Sequence, residues 1–311
     1  MAVFKWQSRF PFARRSHCPF CAQTRFEFFL AYDDVTVMRC ACGYVFMNPY
    51  LSEQGSQAFF SGDVAAEFPW LVDYEKVMDQ TPENSKTFKA YGKALDLLEK
   101  KKPQKGRLLD IGCGSGHFLG LARQRGWPVE GLDFDAKSAF AAAQRCGGMI
   151  REGRLQDAGF QTGSFDVITL WDYFEHVEDP AAILTQVRRL LAPAGILVIA
   201  CPNHKSLLFG AALFLSKMTR GKFFCHPLRL LYPITHLSYF DPDFLSRQLP
   251  AHGFVEFARR YDETDLRRIR LNPVLKLFVA VLFAAGRFFR LTNRFNLFLE
   301  KQNDSDLQEA A

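Results

Sequence analysis

Short apolar runs alternate with amphipathic segments between residues 107 and 203, and this alternation constrains the fold more than any other feature. The apolar runs have the length of buried strands, and the segments between them place apolar side chains at helical spacing. Strands that alternate with helices form parallel βαβ units, in which helices cover both faces of the sheet. The sequence therefore predicts an α/β fold with a Rossmann-like, mostly parallel sheet.

A glycine-rich turn follows the first strand of this pattern. Asp110 lies two residues before the turn, which contains Gly112, Cys113, Gly114 and Gly116 in the spacing G-x-G-x-G. A dinucleotide site has the different spacing G-x-G-x-x-G. Glycines let the backbone approach a ligand closely, and the helix that follows offers unpaired N–H groups. We interpret the turn as a nucleotide-type site; the alternative is a turn that binds nothing.

The second strand ends in a carboxylate. Asp133 lies 17 residues after Gly116, where an acid can accept hydrogen bonds from both ribose hydroxyls. The alternative is that Asp133 or Asp135 only caps the helix that follows. In combination with the glycine run, the pattern favours binding by Asp133.

Two segments of the chain are similar to a known family. The glycine run resembles the first motif of the class I S-adenosylmethionine-dependent methyltransferases. Residues 165–180, FDVITLWDYFEHVEDP, are similar to the branch that includes the ubiquinone-biosynthesis O-methyltransferases, and the resemblance covers about half of the chain. It implies S-adenosylmethionine as cofactor, with Asp110 and the glycine run around its methionine part and Asp133 on its ribose. It implies less directly that Phe134, Leu155 and Trp171 line the site, with core packing as the alternative for the last two.

A histidine after the fourth strand is the candidate general base. Methyl transfer from a sulfonium needs an aligned nucleophile, and an oxygen nucleophile also needs a proton acceptor. We expect His176 in this role, oriented by Glu175 or Asp172; the alternative is a structural Glu-His pair at the start of a helix. His236 and Tyr239, in the segment HLSYF, are second candidates on the acceptor side.

Four cysteines near the N-terminus predict a structural zinc site. They are Cys18, Cys21, Cys40 and Cys42. The first pair has the spacing of a zinc knuckle, but the second pair has only one residue between its cysteines, so His17 is an alternative ligand. Methyltransferases of this branch often begin with a similar zinc ribbon closed by C-G-x-x-F-x-N-P, which residues 42–49 match. Four free thiols are the other interpretation.

An excess of basic charge lies in the last third of the chain. The net charge is +6, yet residues 1–203 carry 23 basic and 23 acidic residues, whereas residues 204–311 carry 16 and 10. The same region is rich in Phe and Leu, a composition that suits an anionic lipid surface better than nucleic acid.

Two segments of this third are candidates for lipid contact. One is the apolar and basic insertion at residues 204–235, and the other is an amphipathic helix around residues 274–285. At helical spacing, a single stripe contains Lys276, Arg287, Arg290 and Arg294. The alternative is that both segments cover the core or contact a second subunit, and the sequence does not indicate an oligomeric state.

The sequence divides into four parts. We assign residues 1–50 to a zinc-ribbon-like module, 51–106 to a linker or cap that is helical from Tyr74, 107–262 to a methyltransferase core that contains the insertion, and 263–311 to an amphipathic C-terminal tail.

The predicted function is methyl transfer from S-adenosylmethionine to a hydroxyl of a small, sugar or lipid-linked acceptor. The basic and apolar N-terminus has no signal-type apolar segment, so we expect the cytoplasm, with the membrane surface as a further location. Two alternatives are an RNA methyltransferase and a non-catalytic binding protein on the same scaffold.

Overall fold

The computed structural model describes residues 5–61, 85–218, 225–268 and 272–303. The strands in chain order are β1 (Phe12–Ala13), β2 (Phe26–Tyr32), β3 (Val35–Cys40), β4 (Val45–Met47), β5 (Tyr50–Leu51), β6 (Leu108–Ile111), β7 (Val129–Asp133), β8 (Met149–Glu152), β9 (Phe165–Trp171), β10 (Leu191–Pro202), β11 (Ser238–Tyr239), β12 (Phe254–Asp262) and β13 (Arg294–Lys301). The helices are α1 (Glu53–Ser61), α2 (Lys86–Lys101), α3 (His117–Gln124), α4 (Ala136–Cys146), α5 (Pro180–Leu190), α6 (Leu207–Met218), α7 (Cys225–Leu231), α8 (Pro242–Gln248) and α9 (Pro273–Phe289). Of the helix predicted from Tyr74, residues 74–84 lie outside the described residues.

A seven-stranded sheet forms the centre of the chain. Its order is β12-β13-β10-β9-β6-β7-β8. Strands β10, β9, β6, β7 and β8 are parallel, and β13 is antiparallel to both β10 and β12. The predicted α/β fold with a mostly parallel sheet is therefore confirmed.

Helices pack on both faces of this sheet because alternate residues of each strand point in opposite directions. In β10, Ile196 and Val198 pack in one core with residues of α2, α3 and α4. Leu197 and Ile199 pack in the other core, with residues of α5 and α8. The near-continuous apolar sequence of β10 follows from this burial on two sides.

The C-terminal tail differs from its prediction. The boundary at residue 262 would leave β13 outside the core, yet β13 lies between β10 and β12 and pairs with both. The segment VEFARRY lies in β12, which forms one edge of this sheet. The C-terminal part of the chain is therefore part of the central sheet.

The predicted stripe of basic residues is also wrong. Helix α9 ends at Phe289, and Arg290 takes the left-handed conformation that closes it, with a φ of 57°. Arg294 lies in β13, and Arg287 forms an ion pair with Glu263. Among the residues that the structure describes, no helix combines the length and the apolar character needed to cross a bilayer.

The N-terminal module is joined to the core through a shared sheet. Strands β2, β3 and β4 form an antiparallel sheet, and β11, from the later segment HLSYF, extends it beside β4. Tyr44 and Phe46 of the module belong to the same buried cluster as Phe240 and Phe244. The module and the core therefore share one apolar interior.

Candidate functional site

The glycine turn between β6 and α3 depends on glycine at each of its three positions. Gly112, Gly114 and Gly116 have φ angles of 73°, 51° and 79°, in the left-handed region. A Cβ on Gly112 would lie 2.5 Å from the ring of Tyr173, and one on Gly116 would lie 2.8 Å from the Cα of Ala142. A Cβ on Gly114 would meet no atom within 4 Å. Gly114 is thus the point where the turn is open to a ligand.

Asp133 holds the open part of this turn. Its Oδ2 accepts a hydrogen bond from the Gly114 amide at 2.8 Å, and its Oδ1 accepts one from the Asp135 amide at 3.0 Å. The cap of α4 is Asp135, whose side chain accepts a hydrogen bond from the Ser138 amide at 2.9 Å. The capping alternative for Asp133 is therefore not supported, because Asp135 performs that role.

Two buried carboxyl groups lie beneath the turn. Asp110, at 1% exposure, accepts a hydrogen bond from the Thr169 hydroxyl at 2.6 Å. Burial, together with the charge of Asp133, raises the pKa of Asp110 to about 8, although the hydrogen bond from Thr169 acts in the opposite direction. Burial also raises the pKa of Asp133. Because a nearby positive charge favours ionised carboxylates, this environment suits a cationic ligand.

A cavity of about 1050 Å³ opens beside the turn. The predicted cofactor residues that line it are Asp110, Gly112, Cys113, Gly114, Asp133, Phe134, Leu155 and Trp171. Gly116 does not line the cavity and instead packs against α4. The sequence prediction therefore selected residues that converge on one cavity, with Gly116 supporting them from behind.

Aromatic side chains form part of the cavity wall. The Trp171 ring contacts Tyr91 and Phe118, with centroid distances of 4.7 and 5.2 Å. The Trp171 Nε1 is buried and has no hydrogen-bond partner among the described residues. Phe134 is 45% exposed beside Asp133. An unpaired buried donor and a half-exposed ring at a cavity are typical of a ligand site.

The predicted acid-base residues line the same cavity and lie close together. Glu175 and His176 lie in a 3₁₀ turn after β9, and His236 packs edge-on against His176 with a centroid distance of 4.8 Å. Potential ligand atoms of all three lie within 4.8 Å of one another, so this group could also hold a metal ion. Tyr239, the other candidate, does not line the cavity and packs against Tyr232 instead.

A backbone carbonyl holds the ring of His176. Its Nδ1 lies 2.7 Å from the Thr235 carbonyl oxygen, which can only accept, so Nδ1 carries the proton. Burial lowers the pKa of His176, which keeps the ring neutral with its lone pair on Nε2. Asp172, a predicted orienting residue, forms an ion pair with Arg294, and its effect on His176 stays a prediction.

The carboxyl group of Glu175 is buried, and its hydrogen bonding is incomplete among the described residues. It is 1% exposed; its Oε2 accepts a hydrogen bond from the Cys201 thiol at 3.4 Å, and its Oε1 has no partner among the described residues. Burial raises the pKa of Glu175, and the charge of Asp172 adds to this effect. Glu175 therefore differs from an ordinary surface carboxylate, and within the described part of the chain the one hydrogen bond of its carboxyl is to Cys201 and not to His176.

Sequence reasoning missed two residues of this site. Thr235 precedes His236 and orients His176 through its backbone carbonyl. The type of side chain at this position does not indicate the role, because the backbone performs it. Arg294 lines the cavity from β13 and pairs with Asp172, which lies at a strained φ of 51° at the end of β9. These two partners are 122 positions apart in the sequence, so no local pattern predicts their pairing.

Apolar residues of two helices line part of the cavity. Helices α6 and α9 pack against each other. Their cavity-lining residues are Leu208, Phe209, Ala211, Ala212, Leu215, Leu275, Phe278, Val279 and Leu282. We call this surface the apolar roof. It contrasts with the carboxylates and backbone amides at the glycine turn.

The four cysteines of the module come together. The Sγ atoms of Cys18 and Cys42 lie 3.7 Å apart, those of Cys21 and Cys40 lie 3.4 Å apart, and all four are within 4.8 Å of one another. His17 is exposed and contacts Ser16, so it is not part of the cluster. Burial raises the pKa of the Cys18 and Cys42 thiols, a cost that a bound cation offsets. The donor set fits a closed tetrahedral zinc site.

The chain matches a family model described as a methyltransferase domain over residues 84–256. A ubiquinone biosynthesis O-methyltransferase of Psychrobacter arcticus is 35% identical over 132 residues, which cover 37% of this chain and 50% of that protein. The protein of the same name from Pseudomonas aeruginosa is 35% identical over 126 residues, covering 37% and 54%. The chain thus spans about half the length of these relatives.

A solved structure supports the same fold. The S-adenosylmethionine-dependent methyltransferase of Thermotoga maritima, described as a possible histamine N-methyltransferase, aligns with a TM-score of 0.50 and 15% identity. The alignment covers 76% of this chain and all of that chain. With the glycine turn, the sheet order and the family match, the chain belongs to the class I S-adenosylmethionine-dependent methyltransferases.

Proposed function

We propose that the chain transfers a methyl group from S-adenosylmethionine to a hydroxyl group of an acceptor with a substantial apolar part. The observation that carries this proposal is the single cavity that joins the glycine turn, the histidine pair and the apolar roof. An acceptor under the roof would present its hydroxyl near His176, while the cofactor would lie along the turn.

The residues at the turn suit this cofactor. Its sulfonium supplies an already activated methyl group, so the protein mainly aligns the reactants and excludes water. The buried carboxyls of Asp110 and Asp133 complement the positive charges that S-adenosylmethionine carries. The open side of Gly114 leaves room for the methionine part, and Phe134 offers a ring beside the ribose acid.

His176 is the proposed base. Its neutral ring, held through Nδ1 by the Thr235 carbonyl, presents Nε2 as proton acceptor for the hydroxyl. His236 packs against this ring and restricts its rotation. Glu175 has a different role in the proposal: its buried carboxyl completes the wall of the pocket below the histidines.

The acceptor compartment favours a lipid-linked or other apolar acceptor over a sugar or RNA. The two arginines that line the cavity among the described residues are paired with carboxylates, Arg294 with Asp172 and Arg154 with Glu53. A phosphate backbone needs unneutralised cations, whereas the roof offers apolar side chains of α6 and α9.

A labelling experiment tests this function. The chain is incubated with S-adenosylmethionine that carries a labelled methyl group and with solvent-extracted and aqueous fractions of cells. We expect label in the solvent-extracted fraction as an ether, and loss of that label with His176→Ala. Label that appears only in RNA or protein would contradict the proposed acceptor.

We also propose that the cysteine cluster holds one structural zinc ion. The four sulfur donors leave no open coordination position, so the ion would stabilise the module and take no part in methyl transfer. Metal analysis of the purified chain should find about one zinc per chain. A folded, metal-free chain would refute this part of the proposal.

A membrane-peripheral location is the third part of the proposal. Helix α9 has apolar residues on both its buried and its exposed side: Val279 and Phe283 are buried, while Val274, Leu277 and Phe288 are 80%, 67% and 82% exposed. A contiguous group of exposed apolar side chains often marks an interaction site. The partner helix α6 likewise exposes Phe214 and Met218. We call these exposed residues of α6 and α9 the apolar face.

The charges around the apolar face favour an anionic bilayer as its partner. Residues 204–235 and 266–299 contain basic residues and no acidic residue. Lys217, Lys276 and Arg290 are exposed, and no ion pair is recorded for them within the described ranges. A second copy would bring like charges together, which disfavours self-association through this face. An anionic lipid surface would satisfy both the apolar residues and the cations.

Vesicle binding tests this location. The full chain should sediment with phosphatidylglycerol vesicles more than with phosphatidylcholine vesicles, and salt should weaken binding. Leu277→Ser with Phe288→Ser should weaken it by about tenfold or more, whereas Phe140→Ser, a 69% exposed position on α4, should not. Equal binding of all variants, or a dimer that the double variant converts to a monomer, would contradict the proposal.

A further inference from the structure

The cysteine module pairs with the segment that contains the acceptor-side histidine. Strand β4 begins at Val45, three residues after Cys42, and pairs with β11 through the registers Ser238 to Phe46 and Tyr239 to Val45. The turn between β3 and β4 contains Cys42. It is closed by a hydrogen bond of 2.8 Å from the Cys40 amide to the Tyr44 carbonyl. The conformation of the cysteine turn therefore sets where β4 begins.

Buried side chains reinforce this pairing. The hydroxyls of Tyr44 and Ser238 are 2.5 Å apart. The Tyr44 ring stacks on Phe46, with a centroid distance of 5.0 Å. On the far side of β11, Phe240 stacks on Phe174, which directly precedes Glu175, at a centroid distance of 5.0 Å. Aromatic contacts therefore lie at both ends of the connection.

The segment 235–239 links the module to the catalytic turn. The Met47 amide donates to the Leu237 carbonyl at 3.0 Å, and the Leu237 amide donates to the Glu175 carbonyl at 2.8 Å. Two residues earlier, the Thr235 carbonyl accepts the Nδ1 proton of His176. Leu237 is thus bonded on one side to the module and on the other to the turn that carries His176.

We infer that the cysteine module is a positioning element for the acceptor-side histidines: β4 fixes the segment 235–239, which in turn orients His176 and His236. A zinc ion on the four cysteines would hold the turn before β4 and so stabilise this connection. At the glycine turn, by contrast, the hydrogen bond of the Gly114 amide is to Asp133 of the central sheet, and Thr169 of the same sheet bonds Asp110 before the turn. The effect of this positioning on turnover rests on the proposed function. The effect of the module on the conformation of residues 235–239 is independent of that function.

Hydrogen exchange after metal removal tests the inference. The full chain is treated with a strong zinc chelator, and deuterium uptake is followed in residues 235–239 and in the control strand β7. We expect exchange at 237–239 to become faster by about tenfold or more, with little change in β7. The affinity for S-adenosylmethionine, measured by calorimetry, should stay within about twofold, because the glycine turn keeps its contacts.

Three results of this experiment would overturn the inference. They are unchanged exchange at 237–239 after metal removal, an equal increase in β7, and a chain that has no metal to remove yet protects this segment fully. Neither hydrogen exchange nor cofactor affinity depends on methyl transfer. If only the proposed function fails, exchange at 237–239 will still respond to metal removal, but no methyl transfer will be detected.

A milder variant avoids loss of the metal. Tyr44→Phe removes only the hydroxyl that contacts Ser238, and Tyr32→Phe, which removes the buried hydroxyl bonded to the Tyr232 carbonyl, is its control. The ring N–H signal of His176 in proton NMR, assigned by its absence in His176→Gln, reports the bond to Thr235. We expect that signal to broaden or exchange faster in Tyr44→Phe and to persist in Tyr32→Phe, with zinc content equal in both. A signal that is identical in the two variants would contradict positioning through Tyr44.

Discussion

Gly114→Ala separates backbone strain from cofactor contact at the glycine turn. Gly114 has a φ of 51°, and a Cβ there would meet no protein atom within 4 Å, so the structure predicts only the strain of a left-handed alanine, about 1–2 kcal/mol. Gly159 is a matched control, because its φ is 64°, its Cβ position is equally open, and it does not line the cavity. Both variants should therefore lose a similar few degrees of thermal stability.

Cofactor binding should differ between these two variants. The new methyl group of Gly114→Ala extends about 1.5 Å from Cα, into the space where the methionine part of the cofactor would contact the turn. An ordinary contact of about 3.5–4.0 Å would become a clash, and we expect the affinity to fall by about tenfold or more, equivalent to about 1.4 kcal/mol or more. Calorimetric titration with S-adenosylmethionine measures this loss.

A third glycine completes the comparison. In Gly116→Ala the Cβ would lie 2.8 Å from the Cα of Ala142, which is backbone and cannot rotate away, so this variant should lose more stability than the other two. Equal cofactor affinity in Gly114→Ala and Gly159→Ala would refute the assignment of the open side of the turn to the cofactor.

Three further predictions concern single side chains. Asp133→Ala should weaken S-adenosylmethionine binding by about tenfold or more, since it removes the proposed ribose acid and the acceptor of the Gly114 amide. The control Asp135→Asn should retain the affinity. An unchanged calorimetric affinity in Asp133→Ala would show that Asp133 does not contact the cofactor. Burial raises the pKa of Asp110 to about 8, and the ionised carboxylate attracts the cationic cofactor. The affinity for S-adenosylmethionine should therefore rise from pH 6 to pH 8 and stay constant at higher pH. Asp110→Asn should flatten this profile, and a flat profile in the unaltered chain would contradict the reasoning. His176→Ala should keep the cofactor affinity but slow turnover, with a full rate in the variant counting against a role as base.

The sequence predicts the residues around the glycine turn because the determinants of this region are local. The strand, the glycine turn and the helix follow one another directly, and the acid at the end of β7 belongs to the same periodic pattern. Asp110, Asp133 and Trp171 were therefore selected correctly as residues that line the cavity.

The acceptor half depends on contacts that a linear pattern does not contain. Thr235 acts through its carbonyl, and Arg294 reaches Asp172 from a strand far along the chain. The end of α9 was also hidden, because Arg290 occupies the left-handed closing position where glycine or asparagine is usual. Without that stop signal, the helical pattern extended wrongly to Arg294.

The position of β13 has a consequence for the order in which this sheet can assemble. Strands β10 and β12 do not hydrogen-bond to each other, because residues 294–301 lie between them. A growing chain that has reached residue 262 therefore exposes the unpaired edge of β10 and has no place for β12. Closure must wait until synthesis has passed residue 301, and the same late strand delivers Arg294 to the cavity. Folding of the scaffold and completion of the acceptor pocket would then coincide in one long-range step, which is slow compared with local βαβ pairing.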